Sequence, residues 1–298
     1  MTARDPALAP PRSGPVLDCG GRPLDLARVA VMGILNVTPD SFSDGGVFFA
    51  PERAVERALA MVEEGADIID VGGESTRPGA PGVPVQQELE RVVPVIEALV
   101  RAVSVPISID SSKPEVMRAA AAAGAGFIND VMALRAFGAV EAARELKLPV
   151  CLMHMQGEPS TMQRNPRYRD VVGEVRDFLR GRIEVCIRAG IQRDRLVVDP
   201  GFGFGKNLAH NLELLRRLSE FKVLQVPILA GLSRKSMIGA ALGLPVDQRV
   251  HASVALALCA VQNGAGIVRV HDVRPTRDAI RMLEAVAGCG RMRSTTME

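Results

Sequence analysis

Short apolar runs recur along the chain at regular intervals, and each of them ends on a polar residue. The runs end near Asn36, Asp70, Asp110, Asn129, His154, Asp199, Ser233 and His271. Between them lie longer stretches in which apolar residues recur at helical spacing. Eight strand–helix units in one uninterrupted series predict an α/β fold, a single (β/α)8 TIM barrel whose strands all end at the same mouth. An open, doubly wound sheet is the alternative, but no G-x-G-x-x-G motif follows the first strand.

The strands of this predicted barrel are short aliphatic and β-branched runs, bounded by Gly, Pro or Asp. They are Val29–Val37, Asp67–Gly72, Pro106–Asp110, Phe127–Val131, Pro149–His154, Leu196–Pro200, Pro227–Ser233 and Ile267–Val273. Several of the intervening helical patterns are followed by a glycine, at Gly65, Gly124 and Gly190. Glycine most readily adopts the left-handed conformation that follows a last helical turn, so we expect helices to end at these positions.

The first 27 residues differ from the rest of the chain, because they hold five prolines and show little periodicity. We interpret residues 1–27 as an N-terminal extension. It is either loose or folded into a short hairpin around Gly20-Gly21 that plugs the bottom of the barrel. No linker or low-complexity segment divides the remainder, so residues 28–298 are predicted to form one barrel domain.

Composition and charge exclude several classes of protein. Of the 298 residues, 47% are hydrophobic but only 3% are aromatic, so the core must be aliphatic and no platform exists for stacking nucleic-acid bases. The formal net charge of +2 is too small to indicate a surface that binds nucleic acid or an anionic membrane. The longest mostly apolar stretch, Ala252–Val261, is about half as long as a membrane span. We therefore expect neither a nucleic-acid nor a membrane partner.

The cysteines bear on metal binding and on location. They are Cys19, Cys151, Cys186, Cys259 and Cys289, odd in number, scattered and never in C-x-x-C spacing. This pattern indicates neither a disulfide framework nor a zinc site. The N-terminus also lacks the apolar core of a signal peptide. Reduced thiols and a cytoplasmic location are the expectation.

Six stretches at the predicted strand ends carry most of the candidate chemistry. They are Asn36–Gly46, Gly72–Gly79, Ser108–Pro114, Val198–Lys206, Gly231–Ser236 and Arg269–Asp272. In this order, the six stretches resemble the dihydropteroate synthase family of pterin-binding enzymes. The resemblance extends from about Val29 to the last helix, which is nearly the whole chain, and its motifs are long enough to be specific.

The resemblance implies a transferase of folate biosynthesis, with residues 28–298 as its pterin-binding catalytic domain. Members of this family join 4-aminobenzoate to the methylene carbon of 6-hydroxymethyl-7,8-dihydropterin diphosphate, and they release diphosphate and 7,8-dihydropteroate. The resemblance further implies Mg2+ as cofactor, a homodimer as assembly and sulfonamides as inhibitors. The expected mechanism is dissociative, with carbon–oxygen cleavage before the amine attacks a dihydropterin cation.

A pterin ring presents N–H and NH2 donors beside carbonyl and imine acceptors, and residues of the motifs match both kinds of group. Asp110 and Asp199 can accept hydrogen bonds, whereas Lys235 can donate them. Asn129 can do both. By resemblance, Arg269 stacks on the ring. Asp110 could instead cap the helix that follows it, and this alternative stays open at the level of sequence.

The diphosphate needs cations and hydrogen-bond donors. Arg269 and His271 lie two apart on the last predicted strand, so they should point to the same side. The resemblance places both at the phosphates, in agreement with the usual phosphate site beside the seventh and eighth strands of such barrels. Asn36 offers a carbonyl oxygen to a hard cation, and Mg2+ is expected there with diphosphate oxygens and water.

The second substrate needs a seat for its carboxylate and a clamp for its ring. Ser236 opens a helix-like run, where a hydroxyl and a helix N-terminus together suit an anion. The resemblance supplies the walls of the pocket, which are Phe42, Thr76, Pro78, Phe204 and Lys235. Phe202, in contrast, is expected to pack in the barrel.

Catalysis itself is expected from Asp110, Asn36 and Lys235. Asp110 would stabilise the developing cation electrostatically. Because the arylamine is neutral at pH 7, it needs no general base, and His154 is interpreted as a structural residue rather than a catalytic one.

Two alternatives to a synthase follow from the same motifs. A pterin-binding methyltransferase has a similar barrel and pterin edge, but it has no use for a carboxylate seat at Ser233–Ser236 combined with the Arg269 and His271 pair. A non-catalytic homologue that only binds pterin should have lost Asn36, Asp110 or His271, and this chain retains all three.

Overall fold

The structure, a computed structural model, describes residues 14–37, 51–75, 79, 82–158 and 161–292. The strands in these ranges are β1 (Val16–Cys19), β2 (Arg22–Asp25), β3 (Ala30–Asn36), β4 (Ile68–Gly72), β5 (Ile107–Asp110), β6 (Phe127–Asp130), β7 (Val150–Met153), β8 (Leu196–Asp199), β9 (Leu229–Ala230) and β10 (Ile267–Val270). The α-helices are α1 (Pro51–Glu63), α2 (Val85–Ala102), α3 (Pro114–Ala122), α4 (Ala139–Leu146), α5 (Val171–Arg188), α6 (Leu208–Arg216), α7 (Ser236–Leu242), α8 (Val250–Gln262) and α9 (Val273–Met292).

Strands β3 to β10 form one parallel sheet that curls into a barrel, so the predicted (β/α)8 architecture is confirmed. The hydrogen-bonded order is β8-β7-β6-β5-β4-β3-β10-β9. A parallel bridge between Val198 and Ile228 joins the two ends of this series. Because all eight strands are parallel, their carboxyl ends meet at one mouth, where the predicted site residues lie.

The strands are apolar on both faces and contribute to two separate cores, as buried parallel strands do. In β4, Ile69 and Val71 face outward and pack with the helices in the larger core. Ile68 faces inward and belongs to a second core inside the bottom of the barrel. Asp70 lies between the two outward residues, so the same alternation points its carboxylate into the barrel.

The N-terminal hairpin packs against this inner core. Strands β1 and β2 pair antiparallel around Gly20 and Gly21, whose φ angles are 65° and 84°. Both positions of this two-residue turn adopt a positive φ, which costs glycine little. Leu17, Cys19 and Leu24 are buried against the strand starts. The segment thus forms the hairpin alternative, while the domain boundary between residues 27 and 28 stays a prediction.

The helices end as the glycines indicated. Gly65, Gly124 and Gly190 have φ angles of 100°, 108° and 93°, in the left-handed region. No helix among the described residues is long and apolar enough to cross a membrane.

Six of the eight predicted barrel strands match the structure to within one residue at each end, and two do not. The strand predicted over Pro227–Ser233 is only Leu229–Ala230. The strand predicted over Ile267–Val273 ends at Val270, because helix α9 already begins at Val273.

The prediction that Arg269 and His271 lie on the same strand is therefore wrong, because β10 ends at Val270. The backbone N–H of His271 donates to the hydroxyl of Ser233 at 3.2 Å, so a side chain replaces the next carbonyl of the ladder. Both strands end before this contact. His271 lies beyond β10, where strand periodicity no longer applies, so the common direction of the two side chains stays a prediction.

Candidate active site

The register of the strands brings three predicted site residues into one row at the barrel mouth. Asn36 on β3 pairs with Gly72 on β4, and Gly72 pairs with Asp110 on β5. Asp110 pairs in turn with Asn129 on β6. A Cβ atom placed on Gly72 would lie 3.8 Å from Asn36 Oδ1 and 3.5 Å from Asp110 Cβ. Asn36 and Asp110 therefore border the same space, which the glycine leaves open.

Arg269 is held between two carboxylates in the centre of this mouth. Its Nε donates to Asp70 Oδ2 at 2.6 Å, and its Nη2 donates to Asp110 Oδ2 at 2.7 Å. Asn129 Nδ2 donates to the same Asp70 oxygen at 3.0 Å. The guanidinium plane is fixed from two directions, which leaves its face available for a flat ring.

Asp70 is a member of this network that the sequence prediction omitted from the site. It is fully buried, and its Oδ1 has no hydrogen-bond partner within the described part of the chain. A signal was available, because an aspartate between aliphatic residues at an inward strand position is costly unless it is paired. The identity of its partner, 199 residues away, was not readable from local pattern.

The pKa of the Asp110 carboxyl group is strongly shifted by its surroundings. Burial raises the pKa of Asp110 to about 7, and the guanidinium of Arg269 opposes this rise. The nearby carboxylates of Asp70, Asp130 and Glu88 add to it. Because repulsion from neighbouring carboxylates disfavours the charged form of Asp110, a nearby cation stabilises that form.

The structure also decides against Asp110 as a helix cap. The N-cap residue of α3 is Lys113, which makes no side-chain capping bond. The Lys113 ammonium instead bonds the carboxylates of Glu74 and Glu88 and so ties the start of α3 to the β4–α2 loop and to α2. The carboxylate of Asp110 faces Arg269 across the barrel mouth.

Asp199 and Lys235 lie close to Arg269, around Gly231. A Cβ atom on Gly231 would lie 3.9 Å from both Asp199 Oδ2 and Lys235 Nζ, and 3.8 Å from Arg269 Cβ. Burial raises the pKa of Asp199 and lowers that of Lys235 to about 8, while each charge offsets the shift of the other. One acceptor and one donor thus border a single open space.

Lys235 also joins this space to the loop after β8. Its ammonium donates to the carbonyl of Phe202 and lies 4.7 Å from the centroid of the Phe204 ring. Phe202 itself is fully buried in the larger core, as expected, whereas Phe204 is half-buried. Phe204 is therefore the aromatic residue of this loop that can contact a ligand.

His271 and Ser233 fix each other at the end of β10. The Ser233 hydroxyl oxygen accepts from the His271 backbone N–H and lies 3.0 Å from the ring nitrogen Nδ1. When the hydroxyl donates to Nδ1, the ring proton is on Nε2, and that nitrogen is a donor. Such a donor suits a phosphate oxygen.

Three predicted wall residues, Phe42, Thr76 and Pro78, lie outside the described residues. Ser236 is described: it is exposed and is the first residue of α7, directly after Lys235. The described part of the 4-aminobenzoate pocket is therefore Phe204, Lys235 and Ser236.

His154 has the environment of a structural residue. It is buried, and its Nδ1 lies 2.9 Å from Nζ of Lys206. Burial and the lysine lower the pKa of His154 to about 2, so the ring is neutral at pH 7. Its edge packs against Phe178, with ring centroids 4.9 Å apart.

The described residues of the barrel mouth offer the expected Mg2+ a single protein oxygen and no complete set of protein ligands. No cluster of three His, Cys, Asp or Glu side chains among the described residues could hold a metal ion. Mg2+ usually binds through one or two protein oxygens, water and substrate phosphates, rather than through a full protein cage. Asn36, half-buried beside Asp110, can supply one such oxygen to a diphosphate-bound ion.

Comparison with known proteins places this site in a family. A model of pterin-binding enzymes matches residues 32–271. The dihydropteroate synthase of Escherichia coli strain K12 is 55% identical over 265 residues, which cover 89% of this chain and 94% of the relative. The chain belongs to the dihydropteroate synthase family.

Solved structures agree with this assignment. Xanthomonas albilineans dihydropteroate synthase with 4-aminobenzoic acid superposes with a TM-score of 0.88 at 55% identity, covering 92% of this chain and 99% of that one. Yersinia pestis dihydropteroate synthase in a sulfonamide drug complex gives a TM-score of 0.88 at 52% identity, with the same coverage of 92% and 99%.

A dihydropteroate synthase is a transferase, so the expected class of enzyme is confirmed. Identity above one half over nearly the full length of the synthases also disfavours the methyltransferase alternative. The assignment of individual substrate contacts to Asn36, Asp110, Lys235 and their neighbours stays a prediction.

Proposed function

We propose that this chain condenses 6-hydroxymethyl-7,8-dihydropterin diphosphate with 4-aminobenzoate, giving 7,8-dihydropteroate and diphosphate. The observation that carries the proposal is the buried network in which Arg269 bonds both Asp70 and Asp110 beside the Asp199–Lys235 pair. This set alternates acceptors and donors around a guanidinium face, as a flat pterin with a polar edge requires.

In the proposed reaction, Asp110 stabilises positive charge on the pterin and does not transfer a proton. Cleavage of the carbon–oxygen bond leaves a delocalised dihydropterin cation, and the Asp110 carboxylate is fixed in advance by Arg269 to face it. Lys235 donates to the pterin carbonyl while Asp199 and Asn129 accept from its ring nitrogens. The neutral arylamine then attacks the methylene carbon and loses its proton afterwards.

Three residues bind the diphosphate leaving group in this proposal: Arg269, His271 and Asn36. His271 Nε2 donates to a phosphate oxygen, and Asn36 Oδ1 would hold Mg2+ together with the diphosphate. When bound, the ion neutralises charge on the leaving oxygen as a Lewis acid.

For 4-aminobenzoate, we propose a pocket built from Phe204, Lys235 and Ser236, closed by Phe42, Thr76 and Pro78. The 4-aminobenzoic acid in the Xanthomonas albilineans structure supports this choice of ligand. An ordered pocket of this kind would also exclude water, which would otherwise capture the cation.

The deciding experiment combines purified protein with both substrates and Mg2+, and it follows dihydropteroate and diphosphate by chromatography. We expect product in equimolar amounts, loss of activity with EDTA and recovery on addition of excess Mg2+. Turnover that is unaffected by metal removal would contradict the magnesium part alone. The absence of dihydropteroate would contradict the proposed function as a whole.

His271→Ala should weaken binding of the pterin diphosphate by about tenfold or more, because a donor to a charged phosphate is lost. Titration calorimetry with the diphosphate and with a pterin lacking phosphates measures the effect, and only the former should change. His251→Ala, on the exposed side of α8, is the matched control. Equal losses with both ligands would show that His271 does not bind phosphate.

Sulfonamides should inhibit this enzyme in competition with 4-aminobenzoate, since they copy its aniline ring and place a polar group where the carboxylate lies. The sulfonamide complex of the Yersinia pestis enzyme supports this expectation. Resistance changes should fall on Phe42 or Pro78, where a side chain can meet the part of the drug that exceeds the natural substrate. Initial rates at several 4-aminobenzoate concentrations test this, and non-competitive inhibition would contradict the pocket.

We also propose a homodimer that forms through helices α8 and α9. Helix α9 carries the exposed apolar side chains of Met282 and Val286, 66% and 64% exposed, and it lies beside α8. Apolar surface of this kind favours association. Light scattering should give twice the chain mass for the wild type and the single mass for Met282→Glu/Val286→Glu; a monomeric wild type would contradict the proposal.

A cytoplasmic location is proposed on the state of the cysteines. Cys19, Cys151, Cys186 and Cys259 are free thiols in the structure, the first three of them buried. Thiols persist in a reducing compartment.

A further inference from the structure

Lys206 is a buried lysine that the proposed reaction does not use. Only 2% of its surface is exposed. Its Nζ lies 2.9 Å from the carbonyl oxygens of Gly201 and Phe204, and 2.9 Å from Nδ1 of His154. The carbonyl of His154 lies 3.5 Å away. Each carbonyl can only accept a hydrogen bond, so this shell requires a group with more than one N–H donor, which the lysine side chain provides.

These contacts join two segments of the barrel mouth. His154 directly follows β7, whereas Gly201 and Phe204 belong to the glycine-rich loop after β8. The loop lies so close to the first segment that a side chain at Gly201 would overlap the carbonyl of His154. Its glycines adopt left-handed φ angles of 70° at Gly201, 80° at Gly203 and 63° at Gly205. A chain this flexible keeps one shape only if its peptide groups are held.

The carbonyls held by Lys206 flank the part of the loop that faces the pocket. Between Gly201 and Phe204 lies Phe202, whose carbonyl accepts from the Lys235 ammonium. The Phe204 ring lies against the same ammonium. Rotation of either held carbonyl away from Lys206 would therefore turn the Phe202 carbonyl and move the Phe204 ring.

We propose that Lys206 is a positioning residue for the arylamine subsite, where it fixes the loop that presents the Phe204 ring and orients Lys235. This inference rests on the proposed function, because it takes Phe204 and Lys235 as the walls that contact 4-aminobenzoate. Lys206 does not touch the substrate. It acts through two peptide groups, so its loss should misplace one wall of the pocket while Asp110 and Arg269 keep their network.

The test compares Lys206→Met with the wild type. Methionine retains the length of the side chain but donates no hydrogen bond, so the three carbonyls lose their donor and His154 Nδ1 loses its partner. We expect KM for 4-aminobenzoate to rise about tenfold, KM for the pterin diphosphate to rise less than about threefold and kcat to change little. Lys206→Gln, which retains an amide donor, should give an intermediate KM. Lys147→Met, at an exposed lysine, is the matched control.

A double-mutant cycle with Phe204→Ala shows whether Lys206 acts through the ring. If it does, Lys206→Met should raise KM for 4-aminobenzoate by less than about twofold in the Phe204→Ala background. Full additivity, an equal rise in both KM values or a lower melting temperature with unchanged KM would overturn the proposal. Failure of both Lys206 variants to fold would overturn it too, because Lys206 would then hold the fold rather than the pocket.

The two levels of inference are separable in this experiment. A wild-type enzyme that forms no dihydropteroate contradicts the proposed function, and the variants are then not informative about the subsite. A fully active wild type whose Lys206 variants show no selective loss for 4-aminobenzoate contradicts the positioning role alone.

Discussion

Asp110→Asn should lower kcat for dihydropteroate formation by about 100-fold or more, whereas Kd for the pterin diphosphate should change less than about fivefold. The amide has nearly the same shape and its oxygen can still accept from Arg269 Nη2, so the pocket should persist. What is lost is a negative charge that matters mainly once the pterin carries a positive one. The loss should therefore fall on the transition state and not on the bound ground state.

The pH dependence of kcat gives an independent readout of the same group. Burial raises the pKa of Asp110 to about 7, so the fraction of carboxylate falls as the pH drops through that value. The wild-type kcat should decline with it, and Asp110→Asn should lack this decline because it has no proton to gain. Asp194→Asn, at an exposed position, controls for the change of residue type. A variant that retains turnover within a few-fold of the wild type would show that Asp110 has only a structural role.

The sequence permitted prediction of those features that depend on local pattern. Asn36, Asp110 and Asn129 each end an apolar run, and the ends of parallel strands meet at one mouth, so their common row followed from periodicity and fold class. Gly20 and Gly21 marked a turn by the same kind of local chemistry. In these cases the residue type and its position within an element decide the outcome.

Features that depend on a partner from a distant element were not predictable in this way. The short β9 is an example: it ends at Ala230, and beyond it the backbone N–H of His271 donates to the Ser233 hydroxyl. The shell around Lys206 is another, since three of its four contacts are backbone carbonyls, which every residue possesses. No pattern of side chains distinguishes such contacts from those of an exposed lysine.

The Asp70–Arg269 contact also depends on a distant element. It gives Arg269 a structural role in addition to the predicted role in ligand binding. In the sequence, Arg269 was a ligand for phosphate and pterin. In the structure it is also the cation between Asp70, fully buried, and Asp110, nearly so. Two carboxylates held apart by one guanidinium form a unit whose members cannot be replaced independently.

Arg269→Ala should therefore destabilise the fold as well as abolish tight binding of the pterin diphosphate. Removal of one partner of a buried ion pair costs about 3–5 kcal/mol, because the remaining charge is left without compensation. Here Asp70 would lose the stronger of its two donors and keep only Asn129 Nδ2. Urea denaturation and calorimetry measure the two effects. Arg217→Ala, which breaks surface pairs with Glu213 and Glu220, is the control and should change stability little.

The decisive comparison is the double variant Asp70→Asn/Arg269→Ala. Neutralising Asp70 removes the uncompensated buried charge, so the double variant should be more stable than Arg269→Ala alone, although Asp70→Asn by itself should be less stable than the wild type. Ligand binding should not recover, because the guanidinium that faces the pterin and its phosphates is still missing. If the two substitutions destabilise additively, the Asp70–Arg269 pair is not the element that fixes this guanidinium, and Asp110 alone must orient it.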